Sequence, residues 1–279
     1  MSFAQHEGGR ENGSPINLYL FRFGAGENDV YGFTDNDDEI EFEDVTFLPV
    51  AIDRDEITAT GKLDDASLTI RVQNGTPISD LFRDYPPSNT VTLVIRQGHA
   101  DDLDNQFLVA WSGRVMSFLI KGDQDELNCD PLSTSMKRTM LRRHYQYGCP
   151  HVLYGTGCRV VRSAFTVEAE ISAVSGAVIT LPAGWATDTL KPRYAGGVAA
   201  WTGSNGRTFE RTIISAETDG RVILTGPAQF LGAGDSVRLS LGCRHNMEDC
   251  QGVFSNIQNF GGMPWIPLKN PVGIKNIYY

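Results

Sequence analysis

Apolar and polar residues alternate over short stretches along most of this chain. The clearest case is 66–72: Ala66, Leu68, Ile70 and Val72 share one face, and Ser67, Thr69 and Arg71 the other. That period of two marks a half-buried strand. Ile16–Phe23, Val30–Phe33, Glu39–Phe42 and Thr46–Val50 read as further strands, with Gly24-Ala25-Gly26 breaking the first. Pro77–Phe82 reads as one helical turn, and Tyr85-Pro86-Pro87-Ser88-Asn89 as a rigid connection. Val91, Leu93 and Ile95 alternate again. Phe107–Ile120 then predicts a long strand, bent at Gly113. Many short strands between turn signals predict a sandwich or barrel.

The pattern changes at Leu132–Gly148, the best helix in the chain. Ser133 or Ser135 can cap its start and Gly148 can end it. Met136, Met140, Leu141 and Tyr145 form its apolar stripe; Lys137, Arg138, Arg142 and Arg143 face elsewhere. The period of two returns in Val167–Val174, Val178–Leu181, Thr208–Ser215, Arg221–Leu224 and Ser236–Leu241. Gly176, Gly206, Gly220 and Gly234 fall in the turns. This predicts a small barrel of five or six strands. Val253–Tyr279, rich in Asn, Gly, Pro and aromatics, reads as an ordered coil. The chain is thus mainly β in two domains: residues 1–132 an N-terminal β-barrel or sandwich, 133–148 a connecting helix, 149–279 a small C-terminal β-barrel module with a coil tail.

Length and composition agree with this division. The 279 residues have room for two ordinary domains, and 41% hydrophobic with 21% charged residues suits a folded protein. No run of about twenty apolar residues exists, so no transmembrane segment is expected. Met1–Pro15 lacks the pattern of a secretory signal, so folding in a reducing cytosol is expected, where structural disulfides are disfavoured. The net charge of −10 is split: residues 1–135 carry 25 acidic and 9 basic side chains, net −16, and residues 136–279 carry 9 and 15, net +6. Opposite signs favour head-to-tail docking in an assembly. With an acidic total and no Lys/Arg run interleaved with aromatics, binding to free nucleic acid is not expected.

The chemistry concentrates in cysteines. Cys149 and Cys158 open the second domain, and Cys243 and Cys250 follow its last strand. Four thiolates meeting there predict a zinc or iron–sulfur site, or two disulfides. The gaps of eight and six residues are too wide for a zinc knuckle and suit a larger cluster. Cys129 stands apart, as a buried strand-end thiol or an extra ligand. His151 and His245, each two residues past a cysteine, are alternates. The acidic stretch Asp35–Glu39 lacks the Gly and Glu of a calcium loop and reads as a solvated turn. There is no Gly-x-Ser-x-Gly, no His-Glu-x-x-His, no phosphate-binding loop and no Cys-x-x-Cys redox pair. A hydrolase or a redox enzyme would need an acid–base pair, and the sequence displays none.

Cys149-Pro150-His151-Val152-Leu153-Tyr154-Gly155…Cys158, Gly242-Cys243…Cys250, Phe254-Ser255-Asn256, Asn259-Phe260-Gly261-Gly262 and Pro264-Trp265-Ile266-Pro267 together resemble the tail-tip hub family of long-tailed phages. That family includes the minor tail protein L of lambda-like phages and the hub protein of gene transfer agents. In the first half, Val45–Pro49, Ile52–Ile57, Leu68-Thr69-Ile70 and Pro86-Pro87-Ser88 match more loosely. The resemblance implies a structural, non-enzymatic minor tail protein of the virion, assembled in the bacterial host cytoplasm. Its N-terminal β domain would form a homotrimeric ring. It would join the distal tail protein above to the central fibre or receptor-binding protein below, with the tape-measure protein a further neighbour. The resemblance also implies a 4Fe-4S cluster on Cys149, Cys158, Cys243 and Cys250, with a zinc-binding adaptor as the alternative. Gly261-Gly262 and Arg244-His245 depart from the family pattern, Arg-Gly and Asp-Lys being common there. Neither is an implied ligand, so the departures are expected to bear on partner contacts.

Overall fold

The computed structural model describes residues 3–8, 13–24, 26, 29–57, 67–83, 85–100, 102, 104–137, 144–204 and 206–267. The chain divides into two compact units, Met1–Thr139 and Met140–Tyr279.

The first unit opens with the short helix α1 (Phe3–Gly8). Its strands are β1 (Pro15–Arg22), β2 (Val30–Thr34), β3 (Ile40–Phe42), β4 (Val45–Pro49), β5 (Ile52–Arg54), β6 (Leu68–Gln73), β7 (Thr92–His99), β8 (Leu108–Lys121) and β9 (Gln124–Pro131), with α2 (Pro77–Arg83) after β6. They form one sheet in the order β3-β4-β2-β1-β7-β8-β9-β6-β5. All pairs are antiparallel except β2 with β4. Leu68, Ile70 and Val72 point inward, at most 2% exposed, as their alternation requires; Ala66 lies outside the described residues. They meet Tyr19, Phe21, Phe33, Leu93, Ile95, Trp111 and Leu127 in one cluster, so the sheet wraps around its own core. Each such fully buried side chain contributes on the order of 1.5–3 kcal/mol.

A barrel or sandwich is expected for this unit; among the described residues no closed barrel is formed. Among the described residues the sheet is open, ending in the three-residue strands β3 and β5. Short edges leave little backbone unpaired, so closure is not needed to satisfy it. β8 is long, and a register shift between Val115 and Ser117 bends it. Gly113 sits where β9 and the Trp111 ring press closest; a side chain there would collide with Asp130 O and that ring. Cys129 lies on β9 opposite Leu68 and Val115, 1% exposed, its thiol pushed up to about 12 by burial and then Asp130. Asp35 accepts hydrogen bonds from both the backbone and side-chain amides of Asn17, tying the acidic stretch to β1.

The connecting helix is corrected. A 3-10 turn covers Leu132–Lys137, and residues 144–148 are not helical; 138–143, with Met140 and Leu141 of the expected stripe, lie outside the described residues. Hydroxyls of Thr134 and Ser135 donate three residues back, to the carbonyls of Pro131 and Leu132, which favours the tighter turn. Met136 and Tyr145 are exposed rather than packed. Downstream, Gln146 O accepts the amide of Met263, so tertiary pairing takes the segment away from helix.

The second unit carries β10 (Thr166–Glu170), β11 (Ala173–Ser175), β12 (Val178–Thr180), β13 (Val198–Thr202), β14 (Thr208–Ala216), β15 (Arg221–Leu224) and β16 (Ser236–Ser240), then α3 (Met247–Gly252). The order is β10-β16-β13-β14-β15-β12-β11, again open rather than a closed barrel among the described residues. The stretch expected as a single strand, Val167–Val174, divides because the chain changes partners. Ile171 N donates to Asp235 O, while Ser172 N donates to Thr180 O. Trp201, Ile179, Val222, Val237 and Leu239 fill the core. After α3 the described tail to residue 267 is coil with one 3-10 turn, Ile257–Asn259.

Candidate functional site

The strand pairing brings the two cysteine segments together. β10 follows Cys158 and β16 precedes Cys243, and these strands are neighbours, with Thr166 opposite Ser240. Leu241 N donates to Phe165 O, and Tyr154 Oη donates to Leu241 O at 2.7 Å, holding the two ends in register. Cys149 N donates to His245 O at 2.7 Å, and His245 Nδ1 lies 3.1 Å from Cys149 O. These contacts join the first cysteine segment to the second.

Cys149, Cys158, Cys243 and Cys250 consequently line one small cavity, with His151, His245, Asn256 and Asn259 around it. All five cysteines of the chain are unbridged, so the disulfide alternative is not what this structure contains. Cys129 lies in the first unit and does not line the cavity. Among the described residues, no group of three or more His, Cys, Asp or Glu side chains is placed to hold a single metal ion.

Donors are aimed at the sulfurs. Gly261 N lies 3.4 Å from Cys149 Sγ, His245 N 3.3 Å from Cys243 Sγ, and Asn256 Nδ2 3.8 Å from Cys158 Sγ. Such donors favour the thiolate, the form that ligates metal. Burial opposes it. It raises the Cys243 thiol and pushes Cys250 up to about 11, with the other three cysteines adding to the rise at Cys250. The Cys250 thiol donates to Asn256 O at 3.2 Å.

Two departures from the family pattern do touch the proposed ligands, through backbone N–H groups, contrary to expectation. Gly261 bonds Cys149 and His245 bonds Cys243. The His151 ring lies where side chains at Gly157 and Gly261 would otherwise fall, so this chain's glycine at 261 and its histidine fit one another.

The backbone around the cysteines is unusual. Tyr154, Arg159, His245 and Ser255 all have positive φ, between 48° and 61°, without being glycine. Each costs on the order of a kcal/mol and persists only where the surroundings over-determine it. A capped helix supplies part of that constraint. Asn246 Oδ1 accepts Asp249 N at 2.8 Å, starting α3. The buried Asp249 carboxylate takes Arg193 Nη1 at 3.2 Å and Arg244 N at 3.1 Å. Phe254 packs edge-on against Phe165 and Tyr154. Sequence reading had singled out the cysteines and the Asn-Phe-Gly-Gly stretch but not Asn246, Asp249 or Arg193. The Asn246–Asp249 spacing before a cysteine was the available signal.

A family model described as "Baseplate hub protein, N-terminal attachment domain" matches residues 16–161, more than half of the chain. The chain belongs to this baseplate hub family. It is therefore a structural component of a phage-type virion. A second model, "Phage conserved hypothetical protein BR0599", matches residues 192–270. The first model thus includes Cys149 and Cys158, and the second Cys243 and Cys250. An uncharacterized protein of Xylella fastidiosa (strain 9a5c) is 26% identical over 223 residues, covering 72% of this chain and 45% of the relative. The chain spans about half the length of that relative. Among solved structures, a chain of the virion of a native gene transfer agent particle superposes with a TM-score of 0.78. It covers 100% of this chain and 98% of that one at 19% identity, which establishes a shared fold. Among the described residues no helix is long and apolar enough to cross a membrane.

Proposed function

We propose that this hub protein sits at the tail tip as a homotrimer, joining the distal tail protein to the central fibre or receptor-binding protein, and that Cys149, Cys158, Cys243 and Cys250 hold a 4Fe-4S cluster. The observation that carries the cluster is the convergence of four thiols from two distant segments on one cavity, with N–H donors directed at three of the sulfurs. Hydrogen bonds to ligating sulfurs are a general feature of iron–sulfur ligation. The wide spacing within each pair and the family resemblance favour the cluster over zinc. The cluster would supply bonding that ties the two segments; the chain's own residues shape the cavity and orient the sulfurs.

Protein purified without oxygen is expected to contain iron and acid-labile sulfide and to absorb broadly in the visible. Stoichiometric zinc without iron would replace the cluster by the adaptor reading. The trimer is tested separately, by native mass and by copies per tail. Three copies per tail are expected; six would refute the trimer.

A further inference from the structure

We infer that Asn256 is a positioning residue of the four-cysteine site, fastening the two cysteine pairs to one another and setting the electrostatics at Cys158; this rests on the cluster reading above. Asn256 is 7% exposed. Its Nδ2 donates to Cys158 O at 2.6 Å and reaches Cys158 Sγ at 3.8 Å. Its backbone brackets Cys250: Asn256 N donates to Cys250 O at 2.8 Å, and without metal Asn256 O accepts from the Cys250 thiol at 3.2 Å, a bond given up when that thiol deprotonates to ligate. One residue therefore contacts a cysteine from each pair, 98 positions apart on one side and six on the other.

The amide is itself oriented. Asn256 Oδ1 accepts Asn259 Nδ2 at 2.6 Å, which fixes the flip so that Nδ2 faces the cysteine. Asn259 N in turn donates to Asn256 O, closing a turn on the same residue. Ser255, just before it, holds φ at +48°, a strained conformation that aims the following residue into the site. A bare packing residue would not need a second asparagine to set its amide. An N–H aimed at a ligating sulfur stabilises the more negative, reduced state of a cluster, so it raises the reduction potential.

The test uses the full chain, purified without oxygen, with wild type, Asn256→Asp and Asn259→Ala compared. Asn256→Asp keeps the shape and an acceptor but removes the donor and adds negative charge beside Cys158. It is expected to retain iron when freshly made, to shift the reduction potential negative, and to release iron to a chelator about tenfold faster. Asn259→Ala, which leaves the donor but frees its orientation, is expected to shift both readouts in the same direction by less. If Asn256→Asp fails to fold, Asn259→Ala alone decides. Unchanged potential and release rate in an iron-loaded variant would overturn the inference and leave the cluster intact. Wild-type protein without iron would instead overturn the cluster reading on which it rests.

Discussion

Cys158→Ser and Cys250→Ser proteins are expected to lose bound iron and, with it, the protease resistance of residues 140–279, while residues 1–139 stay folded. The proposed cluster would close the loop of about 85 residues from Cys158 to Cys243, and restriction of the unfolded chain over such a length is worth about 4–5 kcal/mol by analogy with a disulfide. Ligand bonding adds to this, because a site absent from the unfolded chain makes binding energy into folding energy. The first unit has its own apolar cluster and none of the four cysteines, so it has no reason to follow. Cys129→Ser is the contrast. It buries a hydroxyl at a 1%-exposed position and costs about 1–3 kcal/mol in the first unit, with iron content unchanged. Limited proteolysis with fragment identification, beside iron analysis and tail infectivity, reads all three. Ligand variants that build infectious tails with an intact second unit would end the staple argument.

What the sequence disclosed follows from how local each signal is. The strand Leu68–Gln73 was legible because its burial follows its own alternation. β13 was not: Val198-Ala-Ala-Trp-Thr has no polar face to alternate, since three of its five residues are buried against β14 and β16. β9 was hidden by its polar composition, in which Asp125 is fully buried and only Leu127 and Cys129 look like core. The helix expected over 133–148 has a sound internal period, yet Gln146 and Cys149 bond to Met263 and His245, over a hundred and nearly a hundred residues away. No local rule reports such partners. At the site, the four cysteines were legible as residue types. Their convergence depends on the pairing of β10 with β16, and the asparagine and aspartate scaffold around them is visible only once that pairing is made.

That dependence gives the second large effect. Gly242→Ala is expected to destabilise the second unit by about 3 kcal/mol, the upper part of the usual range for overpacking. Gly242 N donates to Arg193 O, and a side chain at 242 would collide with the backbone of Ala195 and approach Gly197 N at 2.7 Å. The facing Gly197 is equally confined, by Ser240 O and Tyr194 O. Two strand ends are therefore in backbone-to-backbone contact immediately before Cys243, and neither obstacle is a flexible side-chain tip that can move aside. Relief would have to come from shifting β16 relative to the Tyr194–Gly197 turn, which displaces Cys243 from the other three sulfurs. Gly252→Ala is the matched control: it lies two residues beyond Cys250, its added methyl meets nothing within 4 Å, and its φ is not positive. It should be neutral or stabilising by about 0.4–1 kcal/mol. Hydrogen exchange over residues 166–240 of the full chain purified without oxygen separates the two, and the iron content of the same proteins reports on Cys243. Equal protection in both variants would mean that the β13–β16 junction has slack and that the cysteines are placed by their own loops instead.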